Sequence, residues 1–181
     1  MRRLILPSAA LSLCGMALCL IAGCGGSQKT TPTAESSAEQ PVLVSIINMG
    51  DPRSENQLTK GFFNIEVGSW RWTAPQFDLV LGVPKGASEK GAMLVSKFSL
   101  PEVELHQLKS LKLTATVNGL ALAPETYSKP GDYTYSREVP ASSLTGDKVP
   151  VSFQLDKPFR PTNGDPRDLG LVVKEIGFEL K

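Results

Sequence analysis

The two tryptophans of the chain, Trp70 and Trp72, stand within three residues of each other, just after the run Gly61-Phe62-Phe63-Asn64-Ile65-Glu66. Alternate residues of a β-strand share a face, so both indoles point to one side and Arg71 to the other. Exposed, such a pair is a platform for the apolar face of a sugar ring, with Asn64, Glu66 and Arg71 as polar contacts at its edge. Buried, it fills the space between two sheets, because each indole covers a large area. A surface for a protein partner is the third use, and the spacing leaves all three open.

A second constellation is Asp165-Pro166-Arg167-Asp168-Leu169-Gly170-Leu171, which leads into an apolar run ending at Leu180. Asp165 and Arg167 have two uses. They are either further ligand contacts or a clasp in which Arg167 pins the loop to Glu66 or Asp165. A third aromatic group, Tyr127, Tyr133 and Tyr135, surrounds Pro130-Gly131. It suits a sandwich rim that touches a ligand, or a seal over the core.

Catalytic chemistry is poorly provided for. His106 is the only histidine and stands in a polar setting beside Glu104 and Gln107. A Ser-His-Asp triad would have to use it, and there is no G-x-S-x-G elbow. Nor is there a phosphate-binding glycine loop or a His/Cys/acidic cluster at metal-ligand spacing. Glycoside hydrolysis needs only two acids, and Glu66 with Asp165 is the pair on offer, though nothing in the spacing brings them together. The expectation is a protein that is not an enzyme and uses no metal or cofactor.

The chain begins with Arg2 and Arg3, followed by a mostly apolar stretch from Leu4 to Ile21. A charged start, an apolar centre and small residues at the end make a secretory signal. At about 18 residues the stretch is also near the lower limit for a spanning helix. Its end decides between the two. Of Cys14, Cys19 and Cys24, the first two follow leucines, and only Cys24 follows a small pair, Ala22-Gly23, with Ile21 before it. Ile21-Ala22-Gly23-Cys24 resembles a bacterial lipobox. The resemblance implies cleavage before Cys24, acylation of that cysteine with chains such as palmitate, and membrane attachment. Two or more acyl chains hold a protein stably where one does not. Gly25, in the place where an aspartate favours the inner membrane, implies the outer membrane of the cell envelope.

Several consequences follow for residues 24–181. No free thiol remains, which excludes a disulfide, a cysteine nucleophile and a cysteine metal site. Without Arg2 and Arg3, the 19 basic residues become 17 against 18 acidic, a net charge of −1. That is no footprint for nucleic acid. From Gly25 to Gln40 no aliphatic residue exceeds alanine, so the segment reads as a flexible tether. Its reach is roughly 20–24 Å. The expected organisation is a signal over 1–23, the lipidated cysteine and tether over 24–40, and one domain over 41–181.

What must position the candidate residues is β structure. Phe77, Leu79 and Leu81 alternate with more polar neighbours, as do Leu111, Leu113, Ala115 and Val117, and Val149, Val151, Phe153 and Leu155. That period marks half-buried strands. Strands are predicted at about 42–48, 61–67, 69–74, 76–83, 92–100, 109–117, 120–122, 132–139, 148–155 and 169–180. Asn118-Gly119 between Val117 and Leu120 signals a tight hairpin. Val103–Leu111 has room for one helical turn at most. Many short strands separated by Gly/Pro turns predict an all-β, antiparallel β-sandwich, jelly-roll-like, with an Ig/fibronectin-like order as the alternative.

The segments Trp70-Arg71-Trp72-Thr73, Val117-Asn118-Gly119 and Asp165-x-Arg167-x-Leu169-Gly170 together resemble β-sandwich segments that accompany bacterial glycosyltransferases and other carbohydrate-active proteins. The resemblance implies a galactose-binding-like or jelly-roll sandwich. It also implies a non-catalytic binding role, with an envelope glycan or polysaccharide as ligand. The competing expectation is a structural or protein-interaction subunit of an envelope assembly.

Overall fold

The computed structural model of the chain describes residues 43–181. The expected signal, Cys24 and tether lie outside the described residues. The strands are β1 (Ile46–Asn48), β2 (Leu58–Glu66), β3 (Trp70–Gly82), β4 (Ala92–Leu100), β5 (Leu111–Val117), β6 (Leu120–Ala121), β7 (Glu125–Tyr127), β8 (Gly131–Val139), β9 (Lys148–Leu155) and β10 (Val172–Leu180). Two short helices, α1 (Ala87–Lys90) and α2 (Glu102–Leu108), flank β4.

All strand pairs are antiparallel. The fold is an all-β sandwich, jelly-roll-like, as the alternation and turns predict. One layer runs β1-β10-β4-β8 and the other β2-β3-β9-β5, with β6 and β7 sharing the outer edge of β5. The layers join where Val172 and Val173 of β10 pair with Trp72 and Arg71 of β3. Between them lies the apolar core. Phe153 of β9 stacks on Phe77 of β3 at 4.9 Å and meets Tyr135 of β8 edge-on at 6.3 Å.

The predicted strands 69–74 and 76–83 are one continuous β3. Its first residues pair with β10, and Gln76–Gly82 pair with β9. Pro75 stands between these two stretches, where the missing N–H breaks no ladder. Gly170 crosses β3 there at very close range. A Cβ on it would lie 2.6 Å from the Ala74 carbonyl oxygen and 2.7 Å from Thr73 Oγ1. The Thr73 hydroxyl instead accepts the Leu171 N–H at 3.0 Å.

Several elements differ from the prediction. Helix α2 has seven residues rather than a single turn. Pro101 starts it with a preset φ of −61°, and Lys109, at φ 66°, ends it. Within it Glu104 is fully buried, so the expected polar setting around His106 is only half correct. Strand β7 was not predicted, because three residues are too few to show a period. A 3-10 turn over Pro52–Gln57, capped by Asp51, precedes an earlier start of β2. Gln57, 1% exposed, clamps the leading segment. Its amide exchanges two 2.9 Å bonds with the backbone of Val44 and donates to the Val80 carbonyl at 2.7 Å.

Two hairpin turns share positive φ at two successive residues, although one joins the paired Val117 and Leu120 directly and the other leaves Ser69 as an extra residue before the paired Glu66 and Trp70. Asn118 and Gly119 have φ 47° and 84°, and Val67 and Gly68 have φ 50° and 65°. The first has the residues that such a turn favours. The second has a β-branched residue where positive φ is a genuine outlier.

The three tyrosines seal the core. Tyr127 and Tyr135 are buried. Tyr133 packs on Tyr127 at 4.6 Å and on Phe98 at 6.0 Å. Its hydroxyl donates to the Lys129 carbonyl.

Candidate functional site

In β3 the odd-numbered residues Arg71, Thr73, Phe77, Leu79 and Leu81 face inward and are buried. Trp70 and Trp72 therefore lie on the outer face of the sheet, each half-buried. They do not fill the space between the layers. Their rings meet edge-to-face at 6.3 Å. Trp72 in turn stacks on Phe159, which is itself buried at 6% exposure, with centroids 6.3 Å apart and planes 27° apart. Phe159 is fixed by two backbone bonds with Leu169, at 2.7 and 2.8 Å.

Beside this aromatic run is a groove of about 350 Å³. Its walls include Trp72, Phe159, Leu169 and Val103, and its polar side is formed by Asn163, Asp165 and Arg167. The Arg167 Nε donates to both Asp165 oxygens at 3.0 Å, and Nη2 donates to Oδ2 at 2.6 Å. Glu66 Oε1 lies 3.7 Å from Nη1 of Arg167. The guanidinium also lies over the Phe63 ring at 5.0 Å, a favourable cation–π placement. The predicted clasp is therefore present, with Arg167 held by both acids.

This arrangement governs the charge at the groove. The hydrogen bond from Arg167 holds the Asp165 carboxyl below its ordinary value, and the same pairing raises Arg167. Asp165 is thus kept ionised. A glycosidase acid needs the opposite shift.

Of the residues singled out in the sequence, Trp72, Asp165 and Arg167 line the groove, while Glu66 and Trp70 do not line it and join the group only through Arg167 and Trp72. Asn64 is exposed on β2 and is not among the groove-lining residues. Arg71 corrects an expectation. It is 2% exposed and points inward, where Nε donates to the Met49 carbonyl, Nη1 to the Phe63 carbonyl and Nη2 to Glu55. It is not at the edge of the platform, because β-strand alternation sends it through the sheet. Phe159, Asn163 and Val103 were missed as site residues, Asn163 carrying only the sign of a turn. Phe159 lies in Lys157-Pro158-Phe159-Arg160-Pro161, and an aromatic residue between two prolines, off any alternating run, was a legible sign. Val103 carried no sign.

Among the described residues no cluster of three His, Cys, Asp or Glu side chains could hold a metal ion. No helix among them is long and apolar enough to cross a membrane.

The fold and groove define an all-β antiparallel sandwich with an aromatic cleft on an outer sheet face. No protein-family model matches the chain, and no curated protein matches it in sequence. Some solved structures are similar. One is a carbohydrate-binding module, TmCBM27, described for specific mannan recognition, at 12% identity and TM-score 0.44, covering 76% of this chain and 96% of that one. Another is the CBM36-1 domain of a multidomain xylanase from the hindgut metagenome of Trinervitermes trinervoides, at 10% identity and TM-score 0.40, covering 75% and 96%. A third is a 4-O-methyl-alpha-glucuronidase of family GH115, BtGH115A, at 12% identity and TM-score 0.44, covering 77% of this chain and 18% of the enzyme. Similarity at this level is one of general outline and says nothing of ligand.

Proposed function

We propose that the domain binds a glycan, without catalysis, in the groove beside Trp72 and Phe159, and that Cys24 holds it at a bacterial envelope membrane through acyl chains. The observation that carries the binding role is the aromatic run Trp70–Trp72–Phe159 flanked by the Asp165–Arg167–Glu66 clasp. Sugar rings present C–H faces that pack on aromatic surfaces, while their hydroxyls bond to fixed polar groups at the rim. A partly apolar cleft with a few convergent polar groups is the usual form of such a site.

A glycan array probed with the full chain in detergent tests the reading. Binding to at least one glycan is expected, with at least about a tenfold loss in Trp72→Ala. Absence of binding, or binding indifferent to both Trp70→Ala and Trp72→Ala, overturns it. The anchor is tested by growth with radioactive palmitate, where Cys24→Ala must abolish labelling of the chain.

A second reading is a protein-interaction subunit. It is favoured by Val44 and Ile46, 43% and 44% exposed, beside a separate groove of about 340 Å³ near β1. Crosslinking in membranes that captures one partner, lost on Ile46→Lys, would support it over the glycan reading.

A further inference from the structure

We propose that Val67, at the tip of the β2–β3 hairpin, is a ligand contact that selects glycans carrying an apolar substituent such as an acetyl group. This deepens the glycan reading above and rests on it.

Val67 is 88% exposed, the most exposed of the large apolar side chains described. It is also in the left-handed region, at φ 50°. For a β-branched residue that conformation is strained, whereas asparagine and glycine adopt it readily. The same chain shows the relaxed solution at Asn118-Gly119. The turn at Val67-Gly68 therefore carries a residue that is wrong for its backbone and wrong for its solvent exposure.

The surroundings hold the tip in place. Ser69 N–H donates to the Glu66 carbonyl at 3.1 Å, closing the turn. Gly50 packs beneath it so closely that a Cβ there would lie 2.5 Å from the Gly68 carbonyl oxygen. Arg71 ties the base of the hairpin to the Met49 carbonyl. Strain of this kind persists only where neighbours over-determine the backbone, and it collects at binding sites.

The position fits a binding role. Glu66 and Trp70 are cross-strand partners at the foot of the turn, and directly opposed partners share a face. Glu66 reaches Arg167, and Trp70 touches Trp72. The tip thus stands at the Trp70 end of the aromatic run. An isopropyl group offers only apolar contact, so its counterpart must be apolar too. The C–H faces of the sugar rings are met by the aromatic run in the reading above, and the hydroxyl-rimmed edges left for the tip are polar, so the apolar group that can reach Val67 is a substituent such as an acetyl methyl.

The test uses two neutral probes that differ at one substituent: a β-1,4-linked N-acetylglucosamine hexamer and a β-1,4-linked glucose hexamer. The full chain in detergent is expected to bind the acetylated hexamer at least about fivefold tighter. Val67→Asn is expected to remove that preference and to raise Tm by a few degrees, because asparagine suits the turn. Val67→Ala is expected to remove the preference without that rise.

A preference that survives both substitutions, an absent preference in the unaltered chain, or a Tm that does not rise in Val67→Asn overturns the proposal. If neither hexamer binds, selection of acetyl groups is overturned, and the glycan reading is judged separately by the array. Loss of binding in Trp72→Ala with no effect of Val67→Asn leaves the glycan reading standing and Val67 without a role in it.

Discussion

Arg71 and Glu55 form an ion pair at 2.6 Å in which one partner is 2% exposed and the other 70%. The guanidinium is inside the protein and its carboxylate is at the surface. The pair works as a plug: the arginine closes interior backbone carbonyls, and the glutamate keeps its charge solvated.

Arg71→Met is therefore expected to cost about 2–4 kcal/mol, because it leaves the Met49 and Phe63 carbonyls without their donor. Glu55→Gln is expected to cost about 1 kcal/mol or less, since water already screens that end. Urea unfolding of the two variants checks the ratio. Equal costs would show that the charge, rather than the backbone bonds, holds the arginine.

Glu104 sets a pH dependence. It is fully buried, neither carboxyl oxygen has a hydrogen-bond partner among the described residues, and burial pushes it up to about 8 from an ordinary 4.5. Between those values the folded chain keeps a proton that the unfolded chain releases. Stability is then full below about pH 4.5 and is lost as the pH rises through about 8, by up to about 1.4 kcal/mol per pH unit. Glu104→Gln is expected to match the parent near pH 4.5 and to exceed it increasingly toward pH 8. Urea midpoints at both ends measure this, and parallel pH profiles would contradict it.

The Arg167 clasp should matter more to binding than to stability. Its partners are partly solvated, and surface pairs contribute little to folding. Arg167→Lys keeps the charge but loses the two-pronged geometry on Asp165. Tm is expected to change by about 2 °C or less, while affinity for any glycan found on the array falls about fivefold or more. A large Tm loss would make the clasp a structural element instead.

Gly170→Ala puts a methyl carbon 2.6 Å from the Ala74 carbonyl oxygen and 2.8 Å from Leu155 Cδ1. The Leu155 methyl can swing aside, but the Ala74 carbonyl is backbone and cannot give way without loosening the β3–β10 junction. A loss of about 1–3 kcal/mol or more is expected from overpacking, read as a lower thermal midpoint. A neutral result would mean that the junction is looser than its geometry.

Much of this architecture was visible in the sequence because its rules are local. Period-two runs at 77–81, 111–117 and 149–155 became strands with their apolar residues inward, and Asn118-Gly119 became the turn it signals. The Arg167 clasp was likewise readable from the close spacing of Asp165 and Arg167. What was hidden depends on distant neighbours. That Trp70 and Trp72 take the outer face follows from which side of β3 the second layer covers, and alternation cannot tell one side from the other. The burial of Glu104 depends on how α2 lies against the sandwich, and helix-local rules place a glutamate in a first turn without saying which way it points. Phe159 reaches Trp72 only because its loop is bridged to Leu169.

The clamp of Gln57 on Val44 has a mechanical consequence. A pull applied at residue 43 acts first on Val44, whose N–H and carbonyl are both held by the Gln57 amide, with Gly82 N–H sharing the carbonyl at 3.0 Å. These bonds tie the leading segment to β3 and to the 3-10 turn before any strand pair of the sandwich carries load. If the chain is anchored through Cys24 as proposed, tension would be borne by a small strain-relief fitting at the margin of the domain. The groove, whose aromatic wall is on the opposite face of β3 from the buried Arg71, would keep its shape while the fitting holds.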